Sequence, residues 1–182
     1  MKKTAILLTV LLLTISLVCG ALADGVAFTT KYFTLELPEG WTIDTEDLDQ
    51  EAEENVEPLG YFYSPDETAL AAGCFLVYYE ELKDMALWNA GEEELKQYAE
   101  GIMEEFEDDH PEYIGTMTAG SVPFVLIKCK DDEGEYLYAD TITNGYSIQF
   151  EVSLMDEENS YPLTDEAIEQ FKTILSTFKP AA

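Results

Sequence analysis

VPFVLIKCKDDEGEYLYADTITNGYSIQFEVSL, residues Val122 to Leu154, carries most of the fold in one stretch. Three runs rich in aromatic and β-branched residues are separated by two turn signals. Asn144-Gly145 is the preferred two-residue hairpin loop, since both positions tolerate positive φ. Asp132-Glu133-Gly134 suits a type I turn closed by a left-handed glycine. Together these turns predict a three-strand antiparallel meander with a definite register. The second turn pairs Thr141 with Ile148, Ala139 with Phe150 and Leu137 with Val152. The first pairs Cys129 with Leu137, Ile127 with Ala139 and Val125 with Thr141. One face then collects Val125, Ile127, Cys129, Leu137, Ala139, Ile148, Phe150 and Val152. The other collects Phe124, Leu126, Lys128, Tyr136, Tyr138, Asp140, Gln149 and Glu151, a mixed surface open to a covering element or a ligand.

Outward from the meander the elements alternate in type. GCFLVYYEE from Gly73 reads as a strand, and GYFYSPDE before it as a strand ending in a turn at Ser64-Pro65-Asp66-Glu67. A helix follows, with Asn89 as its cap and Glu92 three residues on. Leu95, Tyr98, Ala99, Ile102, Met103 and Phe106 form its apolar stripe, and it should end near Asp108, before Pro111. A second helix is capped by Thr164 and carries Ala167, Ile168, Phe171, Ile174, Leu175 and Phe178 on one side. Asp165 and Glu166 favour its positive end, and Pro180 stops it. The expected fold class is α+β: an antiparallel sheet of about six strands with two main helices packed on it.

The chain opens with MKKTAILLTVLLLTISLVCGALADG. Lys2 and Lys3, the apolar run Ala5–Val18 and the small residues of Ala21-Leu22-Ala23 make a secretory signal peptide, residues 1–23, cleaved after Ala23. The apolar run is short for a membrane span, which needs roughly 20 residues. Cleavage before a lipidated Cys19 is the alternative, although Val18 is a poor neighbour for it. Residues 24–182 then form a single domain. The full chain has a formal charge of −29, from 38 acids, nine lysines and no arginine. Such a surface excludes nucleic acid and anionic membranes as partners and favours cationic ones.

At its start FTLELPEGW, Phe33–Trp41, alternates apolar and polar residues and then turns a corner at Pro38-Glu39-Gly40. At its end stands Ser176-Thr177-Phe178-Lys179. With the order strands, helix, meander, helix, these two motifs resemble the PsbP-like superfamily, which includes many small bacterial exported proteins. The resemblance covers most of the mature chain, but its motifs are short. It implies an antiparallel sheet with helices on it and no catalytic residue, since no family site matches positions here. Pro38, Gly40 and Trp41 are expected to form a fold corner, with Trp41 capping the core.

Candidate chemistry is sparse. His110 is the single histidine, next to Asp108 and Asp109 at a helix end, and it has no second histidine for a zinc site. Gly120-Ser121-Val122-Pro123 does not match a nucleophile elbow. Asp44, Asp47, Asp49 and Glu51 offer hard oxygen ligands, but the stretch lacks the glycine of an EF-hand loop, so weak calcium binding is the most it suggests. No other cofactor is expected. Cys74 and Cys129 either pair in a disulfide, which export permits, or remain two buried thiols. Tyr61, Tyr63, Tyr78, Tyr79, Tyr136 and Tyr138 sit on strand patterns. If a ligand site exists it falls on the meander face with Lys128, Tyr136, Tyr138 and Asp140. The function expected is an exported, non-catalytic binding or accessory module with a protein or small-ligand partner. An acidic cation-buffering protein and a carboxylate-based hydrolase are the alternatives.

Overall fold

The computed structural model describes residues 25–46, 48, 55–66, 69–80, 83–143, 145–156 and 160–181. The segment expected to be a signal peptide, residues 1–23 with Cys19, lies outside them, as do Asp47, Asp49, Glu51 and Asn144. In chain order the strands are β1 Val26–Thr29, β2 Phe33–Leu37, β3 Thr42–Asp44, β4 Val56–Tyr63, β5 Ala69–Tyr78, β6 Glu112–Ala119, β7 Val122–Lys130, β8 Glu135–Thr143, β9 Tyr146–Met155, β10 Ser160–Tyr161 and β11 Lys179–Pro180. Two α-helices are present among the described residues, α1 Glu92–Glu105 and α2 Asp165–Leu175. The class is α+β, as expected, but the strands exceed the expected six. A large sheet runs β3-β4-β5-β9-β8-β7-β6, with β10 paired to β9, and a small sheet runs β1-β2-β11. All their pairings are antiparallel.

The large sheet is buried on both faces over its centre. One face packs Phe124, Leu126, Leu137, Ala139, Phe150 and Val152 against the small sheet and α2. The other packs Val125, Ile127, Cys129, Tyr136, Tyr138 and Ile142 against α1 and a short 3₁₀ turn, Leu87–Asn89. β7 is therefore apolar on both sides, and this decides where the expected register fails. The β8–β9 register is as read: Leu137 opposite Val152, Ala139 opposite Phe150 and Thr141 opposite Ile148. The β7–β8 register is one residue off, with Cys129 opposite Tyr136, Ile127 opposite Tyr138 and Val125 opposite Asp140. The loop has four residues, not three. Asp131 begins it, its N–H donating to the Gly134 carbonyl at 3.0 Å and its carboxylate accepting from the Glu133 and Gly134 amides at 2.8 Å each. A slip of one residue exchanges the faces of a strand. Phe124, Leu126 and Lys128 therefore join the α2 side, while Val125, Ile127 and Cys129 join the α1 side.

That exchange also separates the cysteines. Cys74 lies in the core under α2 and Cys129 in the core under α1, on opposite faces of the sheet. Both are free and buried, so the disulfide reading is corrected. Burial raises both thiols, Cys129 to about 11, which keeps them in the unreactive neutral form.

The two quoted motifs meet in the small sheet. Phe33, Leu35 and Leu37 point into the core and Trp41 closes it at 5% exposure. The corner holds through a bond from the Trp41 N–H to the Pro38 carbonyl, with Gly40 at φ +85° where a side chain would be strained. After α2, Thr177 Oγ1 accepts the Glu36 N–H at 2.8 Å, and Phe178 stacks on Phe33 with ring centres 4.8 Å apart. Lys179 then pairs with Glu36 at 2.7 Å. Ser176–Lys179 is thus the clasp that returns the chain to its first strands.

Helix ends differ in how well they were anticipated. Thr164 caps α2 as expected, its Oγ1 accepting the Ala167 N–H at 3.2 Å. Thr164→Ala should cost about 1 kcal/mol of stability, read as a lowered urea midpoint with unchanged slope. α1 starts later than expected, with Gly91 rather than Asn89 as N-cap. The Gly91 N–H donates to the Glu94 carboxylate at 2.8 Å. Asn89 is withdrawn because the 3₁₀ turn buries Leu87 and closes on itself through the Ala90 N–H.

Candidate functional site

Strand alternation on β8 sends Tyr136, Tyr138, Asp140 and Ile142 to the α1 side. Asp140 is 1% exposed. Its Oδ1 accepts the Tyr98 hydroxyl of α1 at 3.1 Å. Its Oδ2 accepts the Tyr138 hydroxyl at 3.0 Å and the Ser147 hydroxyl of β9 at 2.6 Å. None of the ion pairs among the described residues includes it. Burial raises the carboxyl to about 6, and the hydroxyl donors partly offset that rise. Burial beside this carboxylate raises the Tyr98 and Tyr138 phenols, so both stay protonated donors.

Above this group a cleft of about 970 Å³ opens between α1, the segment before it and β8. Tyr98, Gly101 and Ile102 line it from the helix, Leu87 and Ala90 from the 3₁₀ turn and its exit, and Tyr138 and Asp140 from β8. Gly101 stands in the middle of a helix, where glycine costs roughly 0.5–1 kcal/mol relative to alanine. A Cβ added there would meet nothing within 4 Å. Space, not packing, is therefore what faces this residue.

The four residues read as one candidate ligand face are thus divided. Tyr138 and Asp140 are together at the cleft. Tyr136 donates instead to Asp109 at 2.8 Å, at the edge of a second hollow of about 460 Å³ whose lining includes Asp108, Asp109, His110 and Asp131. Lys128 is on the far face, paired with Glu135 at 2.7 Å, and this corrects its grouping with the tyrosines. Glu135 also accepts the Leu163 N–H at 3.1 Å, so the pair anchors the approach to α2. Of the calcium candidates only Asp44 is described; its Oδ1 accepts the Glu46 amide at 2.9 Å, a local turn bond. Among the described residues no three His, Cys, Asp or Glu side chains are grouped to hold a metal ion. His110 sits at the end of a 3₁₀ turn with φ +48°.

Sequence reading missed the contribution of α1 to the site. In the sequence Tyr98 reads only as part of an apolar stripe, and Ser147 only as a strand residue. The signals were present: a glycine within a strong helical pattern, and a serine facing inward on an apolar strand.

The geometry defines an α+β fold whose large antiparallel sheet carries one helix over a cleft of mixed apolar, phenolic and acidic lining, and packs β1, β2, β11 and α2 on its other face. Among solved structures the chain is similar to the solution structure of cyanobacterial PsbP from Synechocystis sp. PCC 6803. Identity is 16% and the TM-score 0.48, over 86% of this chain and 91% of that one. No family model and no curated protein matches the chain. Among the described residues no helix is long and apolar enough to cross a membrane.

Proposed function

We propose that this protein is an exported, non-catalytic binding or accessory module of a bacterial envelope or extracellular space, and that a small ligand sits in the cleft under α1. The observation that carries this reading is the cleft itself, open above Gly101 and floored by Tyr98, Tyr138 and Asp140. Its size falls within the range of small-molecule sites, about 300–1,000 Å³. The described lining holds no His, Cys, Lys or Ser. Both oxygens of Asp140 already accept hydroxyls, which suits a fixed charge better than a base that must take a proton. Export is supported by the residues of the signal peptide, Lys2 to Ala23.

The test is a protein-observed NMR screen of small molecules against the wild type and Gly101→Leu. Leucine raises helix propensity by roughly 0.8 kcal/mol over glycine and fills the cleft, so the variant should fold and lose the hits. Hits that map elsewhere, or that Gly101→Leu leaves unchanged, defeat the cleft reading. An intact mass from an exporting host should begin at Asp24; a lipidated Cys19 start would make the module an anchored one.

A further inference from the structure

The described lining of the cleft is negative without a compensating base. Asp140 lies at the floor, Asp84, Glu94, Glu104 and Glu105 stand exposed around it, and no Lys, Arg or His takes part. Carboxylates around a hollow with low-dielectric walls focus a negative potential into it. The general acidity of the chain accounts for the exposed acids but not for Asp140. A buried carboxylate without a cation is costly, and proteins normally pair it. Here hydroxyls from three elements hold it in place instead.

The remaining lining is of two kinds. Met85, Ala86, Leu87, Ala90 and Ile102 are apolar, and Tyr79, Tyr98 and Tyr138 are aromatic. A phenol that donates to a carboxylate gains electron density in its ring, and such a ring attracts cations more strongly. A hydrated metal ion would use none of the apolar lining and would need several close oxygen ligands. An ammonium group on an apolar body uses all three kinds of surface.

From these observations we infer that the cleft binds a small organic ammonium ion, its charged head over Tyr98 and Tyr138 and its apolar body against Leu87 and Ile102. The inference rests on the cleft being the ligand seat. With both oxygens of Asp140 taken by hydroxyls, the ammonium feels that charge through the two phenols. Gly101 leaves the room that the body of the ligand needs.

Three probes of matched shape separate this inference from the reading beneath it: phenethylammonium, 2-phenylethanol and 3-phenylpropionate. Each is titrated at neutral pH in about 0.15 M NaCl, where screening over about 8 Å suppresses loose attraction to the acidic surface. The ammonium is expected to shift the amides of Tyr98, Gly101 and Tyr138 and to bind about tenfold more tightly than the alcohol. The propionate should not bind. Gly101→Leu should abolish the ammonium shifts, and Asp140→Asn should weaken them. Alcohol or propionate binding at these residues as tightly as the ammonium overturns the ammonium inference and leaves the cleft as a ligand site. Ammonium binding that shifts only exposed acids, or persists in Gly101→Leu, overturns both. No binding by any probe overturns the ammonium inference.

Discussion

Phe150→Ala is expected to lower the free energy of unfolding by about 4 kcal/mol, a large part of the whole stability of a domain this size. Phe150 is fully buried in the middle of β9, between the ladders to β5 and β8. Its ring meets Phe33 of β2 at 6.0 Å between centres, Phe124 of β7 at 6.2 Å and Phe171 of α2 at 5.7 Å. One side chain therefore joins the large sheet, the small sheet and the closing helix. Truncation removes the transfer energy of the ring and leaves a cavity that three separate elements must close. Phe75 is the control: it sits in β5, paired with Gln149 of β9, but is only half-buried. Phe75→Ala should cost less than half as much. Urea unfolding of both variants decides the matter. A Phe150→Ala loss below about 1.5 kcal/mol would mean that the small sheet and α2 do not pack on the large sheet as described.

How far the fold is legible in sequence depends on whether the two faces of an element differ. β9 alternates Ile148, Phe150 and Val152 with Ser147, Gln149 and Glu151, and its hairpin register with β8 is read correctly. α2 has one apolar stripe, and every residue assigned to it is buried. The helix ends at Leu175, however, so Phe178 lies past it and Pro180 belongs to β11 instead of stopping the helix. β7 is buried on both faces, so apolar pattern cannot choose between registers that differ by one residue. The choice passes to the loop, where Asp131 bonds two amides and adds a fourth residue. Everything that depended on that register moved with it: Lys128 left the candidate site, and Cys129 came to lie on the opposite face from Cys74. The small sheet was not legible at all beyond β2. Its partners come from the two ends of the described chain, and Lys179-Pro180 has no strand pattern of its own. The site is a similar case. Tyr138 and Asp140 share a strand face and could be grouped, whereas Tyr98 reaches Asp140 from a helix some forty positions earlier. No local pattern records that approach.

The buried carboxylate makes a second large prediction, one of sign as well as size. Asp140 titrates near 6 in the folded protein, against 3.8 for a free aspartate. Between those values the folded chain holds a proton that the unfolded chain has released. Its folded pKa is raised, so stability falls as pH rises through this window, and the full change is about 3 kcal/mol. This is opposite to the behaviour of a salt-bridged aspartate. Many other acids titrate in the same range, so the wild-type curve alone cannot isolate Asp140. The difference between wild type and Asp140→Asn can, because those acids are common to both. The asparagine is close in shape, and the hydroxyls of Tyr98, Tyr138 and Ser147 can rotate to meet its amide. Relative to wild type, the variant should gain about 2.4 kcal/mol of that in urea-measured stability between pH 4 and pH 7. A difference that stays constant over that range would show that Asp140 ionises as freely folded as unfolded. A difference that moves in the wild type's favour would mean that the hydroxyl donors, or a cation beside the carboxylate, favour the charged form by more than burial opposes it.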